Sequence, residues 1–253
     1  MKRILIIVVV LVLILGLSSS LWIDHAAKAA MEAGGAAALG VRTSVGSVHL
    51  GVFRGRCSLK AVRLDNPPGY KTPYFLDLGK GSVEVSLKSV MGDQVEIPSL
   101  TLDDVTVNLD RSGGDANYDV ILENLKKLEG EPKPEAGKKK RFVIREVVIR
   151  NIRVNAQLSI AGVLKPTVPL LIDEMRLTDV GEEGVPLSRV FDKIIGGLLR
   201  GIAEAGVGIL PDEITGGLKK GLGALGSVGK TGLKIVGEGG KKITEGIGKL
   251  FGK

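Results

Sequence analysis

From Thr43 onward the chain alternates apolar and polar residues with a period of two, the pattern of strands with one buried face. Val45–Val52 carries Val48, Leu50 and Val52 on one side, with Gly46 permitting a slip in phase. Cys57–Leu64 follows after Arg54-Gly55-Arg56. Ser82–Lys88 places Val83, Val85 and Leu87 on one face. Gln94–Leu109 reads as two strands, broken near Pro98-Ser99 or Asp103-Asp104. Phe142–Leu158 reads the same way, with its break near Arg150-Asn151, and Pro169–Leu177 adds a further strand. Roughly eight short, closely spaced strands predict an antiparallel meander, because parallel pairing needs a helical crossover.

The helical period appears in four places. Asp24–Leu39 is Ala-rich and weakened only at Gly34-Gly35. Tyr118–Leu128 carries Ile121, Leu122, Leu125 and Leu128 on one stripe, and Pro186–Ala205 has a broader one. Gly216–Lys253 is rich in Gly and Lys, with an apolar residue or glycine every three or four positions. Its lysines, Lys219, Lys220, Lys230, Lys234, Lys241, Lys242 and Lys249, lie mostly off that stripe. Interior glycines each cost a helix about 1 kcal/mol relative to Ala. The expectation is an amphipathic tail that becomes helical on an anionic lipid surface.

Before the first acid, Asp24, the span Ile4–Ile23 is uncharged and follows Lys2 and Arg3. As a helix it measures about 30 Å, the thickness of a hydrocarbon core. Trp22 falls where an interfacial aromatic belongs, and the basic flank keeps the N-terminus cytoplasmic. A cleaved signal peptide competes, with Ser18–Ser20 small and Ala27-Lys28-Ala29 of small-x-small form. The length of the run favours an uncleaved anchor. The expected organisation is an anchor over 1–23, a connecting helix over 24–40, and a β domain over 41–184. An amphipathic helix over 185–212 and the Gly/Lys tail over 213–253 complete it.

Composition narrows the function classes. The formal net charge of +7 suits an anionic partner, lipid or nucleic acid. Aromatic content of 4% leaves few platforms for stacking bases, and a tail expected outside the cytoplasm argues against nucleic acid. The single cysteine, Cys57, sits at an apolar position of its strand and reads as a small buried side chain. His25 and His49 are the only histidines, and neither stands beside a catalytic partner. No His/Cys cluster has zinc spacing, and adjacent Asp103-Asp104 or Asp173-Glu174 would point to opposite faces of a strand. Gly221–Gly226 fits G-x-G-x-x-G, and Ala224–Thr231 nearly fits a phosphate loop. Both lack the preceding strand and the following β–α units that such motifs need. No enzyme, cofactor or metal is expected.

The stretch "LDNPPGY" at Leu64–Tyr70 ends the first strands. Locally it is a turn: Asn66 ties back to the backbone, Pro67 and Pro68 deny ladder hydrogen bonds, and Gly69 permits the reversal. With the preceding "GVRTSVGSVHLGVFRGRCSLKAVR" and the later "VEIPSLTLDDVTVNL", "NYDVILENLKKL" and "FVIREVVIRNIRVNAQL", it resembles the AsmA-like family. In that family a "V.VG.V.L..F.G...L..L.L.NPPGF" block opens a periplasmic β domain. The resemblance runs from about Met1 to Leu210 and corresponds to a short member with one block of strands. It implies an inner-membrane-anchored periplasmic protein of α+β, mainly β, class with a curved, taco-like groove. It further implies phospholipid binding or transfer along that groove, in support of the cell envelope and outer membrane. The groove candidates are Val83, Val85, Leu87, Ile97, Leu100, Leu102, Val105 and Val107, with membrane lipids and envelope proteins as partners. The rival reading is a non-enzymatic structural or assembly factor whose sheet is fully packed by its own helices.

Overall fold

The structure, a computed structural model, describes residues 22–51, 54–70, 72–111, 115–130, 141–160, 163–165, 169–225 and 232–236. In chain order these form α1 (22–39), β1 (Thr43–Gly51), β2 (Arg56–Asp65), β3 (Tyr74–Glu84) and the one-turn α2 (Leu87–Val90). There follow β4 (Gln94–Arg111), α3 (Asn117–Gly130), β5 (Arg141–Ile160), β6 (Val163–Lys165) and β7 (Leu170–Val185). Last come α4 (Leu187–Ala205), α5 (Asp212–Gly223) and β8 (Gly232–Val236). One eight-stranded sheet has the order β1-β2-β3-β4-β5-β7-β8, with β6 paired to β5.

Mainly β within an α+β class holds, but the all-antiparallel meander does not. β4 and β5 run parallel, with Leu100 beside Val147 and Val107 beside Val154. The reason lies between them: α3 is the helical crossover that a parallel pair requires. The expected break in each of these segments does not end a strand either. β4 and β5 are single long strands of 18 and 20 residues.

The breaks are instead creases that cross the sheet. At one level Gly46, Ala61, Gly79, Asp104, Asn151 and Asp173 each fall out of the paired register, while their neighbours on both sides pair without a shift. These six strands, β1–β5 and β7, take the same extra step, so the ladder stays in register. Core-facing positions therefore run 100, 102, 105, 107, 109 on β4, with Leu102 partly buried, and 147, 149, 152, 154 on β5, with a step of three at the crease. A second crease passes through Pro98, Arg145 and Asp179. Asp104, Asn151 and Asp179 have φ of 61°, 52° and 61°, left-handed values that Asp and Asn tolerate best. The step pushes side chains toward the neighbouring strand. A Cβ on Gly79 would lie 3.0 Å from the Cβ of Asp104, and one on Gly46 3.0 Å from that of Ala61. Such irregularities bend and twist a sheet locally.

Ala61, at φ 52°, is the one non-glycine crease residue of positive φ without an Asx side chain. An L-residue there costs about 1–2 kcal/mol. Ala61→Gly should therefore raise stability by about 1 kcal/mol, read as a higher urea midpoint at unchanged slope.

The core lies on one face of the sheet, between the strands and the helices. α4 packs on β5, β7 and β8, α3 packs on β4, and α3, α4 and α5 contact one another. α1 guards the β1 edge: Glu32 Oε1 accepts from the Val45 N–H at 2.8 Å, and Asp24 Oδ1 from the Leu50 N–H at 2.8 Å. Those are backbone donors that an edge strand otherwise leaves open. The opposite face is polar. Across it Arg150 and Arg176 both bind Glu174, at 3.1 and 2.7 Å, and Arg176 also binds Glu146 at 3.0 Å. The hydrogen bonds from Arg176 and Arg150 hold the Glu174 carboxyl below the usual carboxylate range.

The expected amphipathic helix over Gly216–Lys253 is corrected as well. α5 ends at Gly223, and residues 232–236 form β8 on the edge of the sheet, Leu233 opposite Leu177 and Ile235 opposite Met175. Five residues of alternating "GLKIV" satisfy a strand, whereas the glycines before them penalise helix. Leu218, Leu222 and Leu225 are buried in the protein core, and bilayer contact is not what stabilises them.

Among the described residues, no helix is long and apolar enough to cross a membrane. The anchor expected over 1–23 lies outside the described residues except for Trp22 and Ile23, which begin α1. The single-pass, inner-membrane placement with a periplasmic body accordingly does not stand on this structure.

Candidate functional site

The two ends of the apolar face differ. At the end where β2 runs into β3, the covering is complete. Val107, Leu109, Phe75, Tyr118, Ile121 and Leu125 are buried, and α5 closes over them. Arg111 Nη1 donates to the Glu213 carbonyl at 2.7 Å, and the Tyr118 hydroxyl to the Ile214 carbonyl at 3.4 Å. Burial, reinforced by Asp119 and opposed by Arg111, pushes the Tyr118 hydroxyl up to about 12.

The same end is locked by asparagines. Asn117, buried at the start of α3, donates to Asn66 Oδ1 at 2.9 Å and to the Asn108 carbonyl at 2.8 Å. Its own Oδ1 accepts from the Asp110 N–H at 2.9 Å. Asn66 in turn donates to the Thr72 carbonyl and hydroxyl, at 2.9 and 2.6 Å, closing the Pro-Pro-Gly loop on itself. Tyr70 reaches from that loop to the Asp115 carbonyl at 3.3 Å. The "NPPGY" stretch is thus a clamp on the helical crossover as well as a turn.

The other end is built from the β1–β2 hairpin, the β3–β4 connection, the start of β5 and the end of β7. Here the apolar face is only half covered. Leu50 pairs with Cys57, Cys57 with Val83, and Val83 with Leu100, which makes one line across β1–β4. Leu50, Cys57, Val83, Ile97, Leu102 and Phe142 are partly buried and pack against the core from this side. The result is an apolar strip between the α1 edge and α4, floored by β2, β3 and β4.

The groove candidates therefore separate. Val105 and Val107 are buried, at 2% and 0% exposure, as is Leu100, and they are core. Val83, Ile97 and Leu102 belong to the half-covered strip. Val85 and Leu87 do not continue a strand. β3 ends at Glu84, the Val85 N–H donates to the Gly55 carbonyl at 2.7 Å, and Leu87 begins α2. Alternation alone joined them to Val83; Ser86, which starts the turn, carries no signal strong enough to interrupt it. Of the tail lysines, Lys219 and Lys220 are exposed on α5 and Lys234 is exposed on β8. Lys230, Lys241, Lys242 and Lys249 lie outside the described residues.

Sequence reasoning missed Leu50, Cys57 and Phe142 as members of one strip. The hairpin spacing held the signal for the first two, since folding β1 on β2 about residues 51–56 sets them opposite each other. Burial first, then the nearby Asp24 carboxylate, pushes the Cys57 thiol up, which makes it a poor nucleophile at neutral pH. His49 Nδ1 lies 3.2 Å from Asp24 Oδ2, an exposed contact at the α1 edge rather than part of a catalytic set. No group of His, Cys, Asp and Glu among the described residues is placed to hold a metal ion.

No family model matches the chain, and no curated protein matches it in sequence.

Proposed function

We infer that the protein is a non-enzymatic lipid-binding module that holds phospholipid by its acyl chains on the half-covered strip. The observation that carries this reading is the asymmetry of the apolar face, closed by helices at one end and lined by Leu50, Cys57, Val83, Ile97, Leu102 and Phe142 at the other. Sheltering methylenes is worth about 0.8 kcal/mol each, so a strip covering half a dozen gives about 5 kcal/mol before the cost of ordering the chain. The strip is short, and binding along the whole sheet is not proposed, because the residues beyond it are packed core.

Cys57 provides the test, being the only cysteine in the chain and half-buried in the strip. Full-length protein is alkylated with bimane at about pH 8.5, which offsets the raised thiol. Adding phospholipid should slow the alkylation severalfold. Phospholipid with a nitroxide on its acyl chain should quench bimane already attached, and organic extraction of the purified protein should recover phospholipid. Unchanged alkylation, no quenching and no recovered lipid would overturn the reading. That outcome would favour the packed structural factor, which the complete covering at the other end supports.

A further inference from the structure

We propose that the N-terminal half of α1, residues 22–33, is a hinged lid that lifts from the β1 edge and admits an acyl chain sideways into the strip. What the lid admits rests on the lipid reading of the strip; that it lifts does not. The two halves of α1 are held differently. No residue from Trp22 to Gly34 is buried, whereas Gly35, Ala38 and Leu39 are. The C-terminal end is pinned, since Ala38 and Leu39 are at 0% exposure and the Leu39 carbonyl accepts from Asn124 of α3 at 2.9 Å. The N-terminal half rests on the core through Ala27 and Met31, both partly buried. It is latched to β1 by Asp24 and Glu32, which share a stripe with them and accept from the Leu50 and Val45 N–H groups. Between the halves stands Gly34-Gly35, and a glycine pair is where a helix bends most readily. Gly35 is the pivot, seated so closely on Thr43 that an added Cβ would come within 2.7 Å of its Oγ1.

The lid borders the strip. Leu50, whose N–H Asp24 holds, pairs with Cys57, and the Asp24 carboxylate lies near enough to add to the upward push that burial gives the Cys57 thiol. Lifting residues 22–33 uncovers this end of the strip from the β1 side. The cost is low because nothing buried is stranded. Both latched donors belong to an edge strand, and water replaces the carboxylates once the helix leaves. The second contact of Asp24, to His49 at 3.2 Å, is exposed, and that of Glu32, to Lys28 at 3.9 Å, travels with the helix. Ala26, Ala27, Ala29, Ala30 and Ala33 favour helix, and the pinned half has already nucleated it, so the segment stays helical when lifted. The other covering helices are tied into the interior instead. The start of α3 is locked by the Asn117–Asn66 bond at 2.9 Å, and α4 bears directly on β7 at Gly197 and Gly201.

The two latched amides report the lid in full-length protein without lipid. Hydrogen exchange followed by NMR should show Val45 and Leu50 with closely similar protection, since one lifting event frees both. Asp24→Ala should lower the protection of Val45 by about tenfold, the worth of one charged hydrogen bond, although Glu32 is what holds that amide. Glu32→Ala should do the same to Leu50. Gly34→Ala, which stiffens the hinge, should raise both severalfold. An unchanged far-ultraviolet spectrum verifies the fold of each variant. Independent fraying of the edge confines each effect to the amide whose acceptor was removed. That result, or unchanged protection in Gly34→Ala, would overturn the lid. Cys57 gives a second readout, the rate with a bulky dye maleimide divided by the rate with iodoacetamide. The ratio should rise in Asp24→Ala and fall in Gly34→Ala, and a constant ratio also counts against the lid. Both reagents need the same thiolate, so the effect of Asp24 on the thiol cancels. With nitroxide-labelled phospholipid, Gly34→Ala should slow uptake without changing the amount finally bound, and uptake at the parent's rate would remove the lid from the entry route. No uptake by the parent protein would instead strike the acyl-chain reading, on which the lipid-free amide exchange does not depend.

Discussion

Asn117→Ala should cost about 3–5 kcal/mol of stability, a third or more of what a domain of ordinary stability possesses. The side chain is fully buried, and each of its polar atoms is used. Truncation strands the Asp110 N–H, the Asn108 carbonyl and Asn66 Oδ1. A buried group left without a partner costs about 1–3 kcal/mol. Asn117→Asp should be no better. It restores the acceptor for Asp110 N–H but turns the donor into an oxygen facing two other oxygens. Asn66→Ala should be milder, about 1–2 kcal/mol, since Asn66 is half-buried and water can replace part of what it gives. The double variant should cost less than the sum, because both side chains serve one bond. Urea unfolding followed by far-ultraviolet circular dichroism measures all four. A cost below about 1 kcal/mol for Asn117→Ala would mean that the clamp is incidental.

This network also shows where sequence reading stops. The turn at Asn66-Pro67-Pro68-Gly69 was legible because proline and glycine act on their own backbone. Its partner, Asn117, lies 51 positions away, and nothing local to either residue announces the pairing. The creases were half legible. Asp104 and Asn151 interrupt the alternation visibly, and they read as strand ends because an interruption and a crease look alike along one chain. Only the sideways register, with Asp104 beside Asn151 and opposite Gly79, separates the two. The parallel pairing was available in principle, since α3 was recognised between its strands, yet short spacing elsewhere favoured the meander. The tail failed for a different reason. A stripe at steps of three and four contains alternating residues whenever glycines fill the gaps, so "GLKIV" served either period until the edge of β7 claimed it. For the site, alternation identified the apolar face but not which end of it the helices leave half covered. That depends on where α4 and α5 fold back, which is tertiary information.

The seat of α4 is the second large effect. Gly197 and Gly201 look like helix weakeners in "IIGGLLRG", and in the fold they are contact points. A Cβ on Gly197 would fall 2.7 Å from Leu177 Cδ1, and one on Gly201 would run into the Met175 thioether. The helix therefore lies on β7 closer than any side chain would allow. Gly197→Val should cost about 2–3 kcal/mol, overpacking that outweighs the helix propensity gained. Gly201→Ala should be close to neutral, because the Met175 terminus is flexible and alanine favours helix by about 1 kcal/mol. Gly197→Val with Gly201→Val should reach about 4 kcal/mol, since neither clash can be relieved by sliding the helix along its axis. Leu177→Ala supplies the check on mechanism. Alone it opens a cavity worth about 2–4 kcal/mol, but with Gly197→Val the new methyls occupy the space, and the pair should cost clearly less than the sum. Strict additivity would place the effect of Gly197 somewhere other than this contact. The consequence reaches the strip, because α4 bounds it on the β5–β7 side. Lifting α4 from the sheet should widen the opening, so Gly197→Val at temperatures below its melting should make Cys57 more readily alkylated than in the parent protein. Unaltered Cys57 reactivity in a folded but destabilised Gly197→Val would separate the seat of α4 from the opening of the strip.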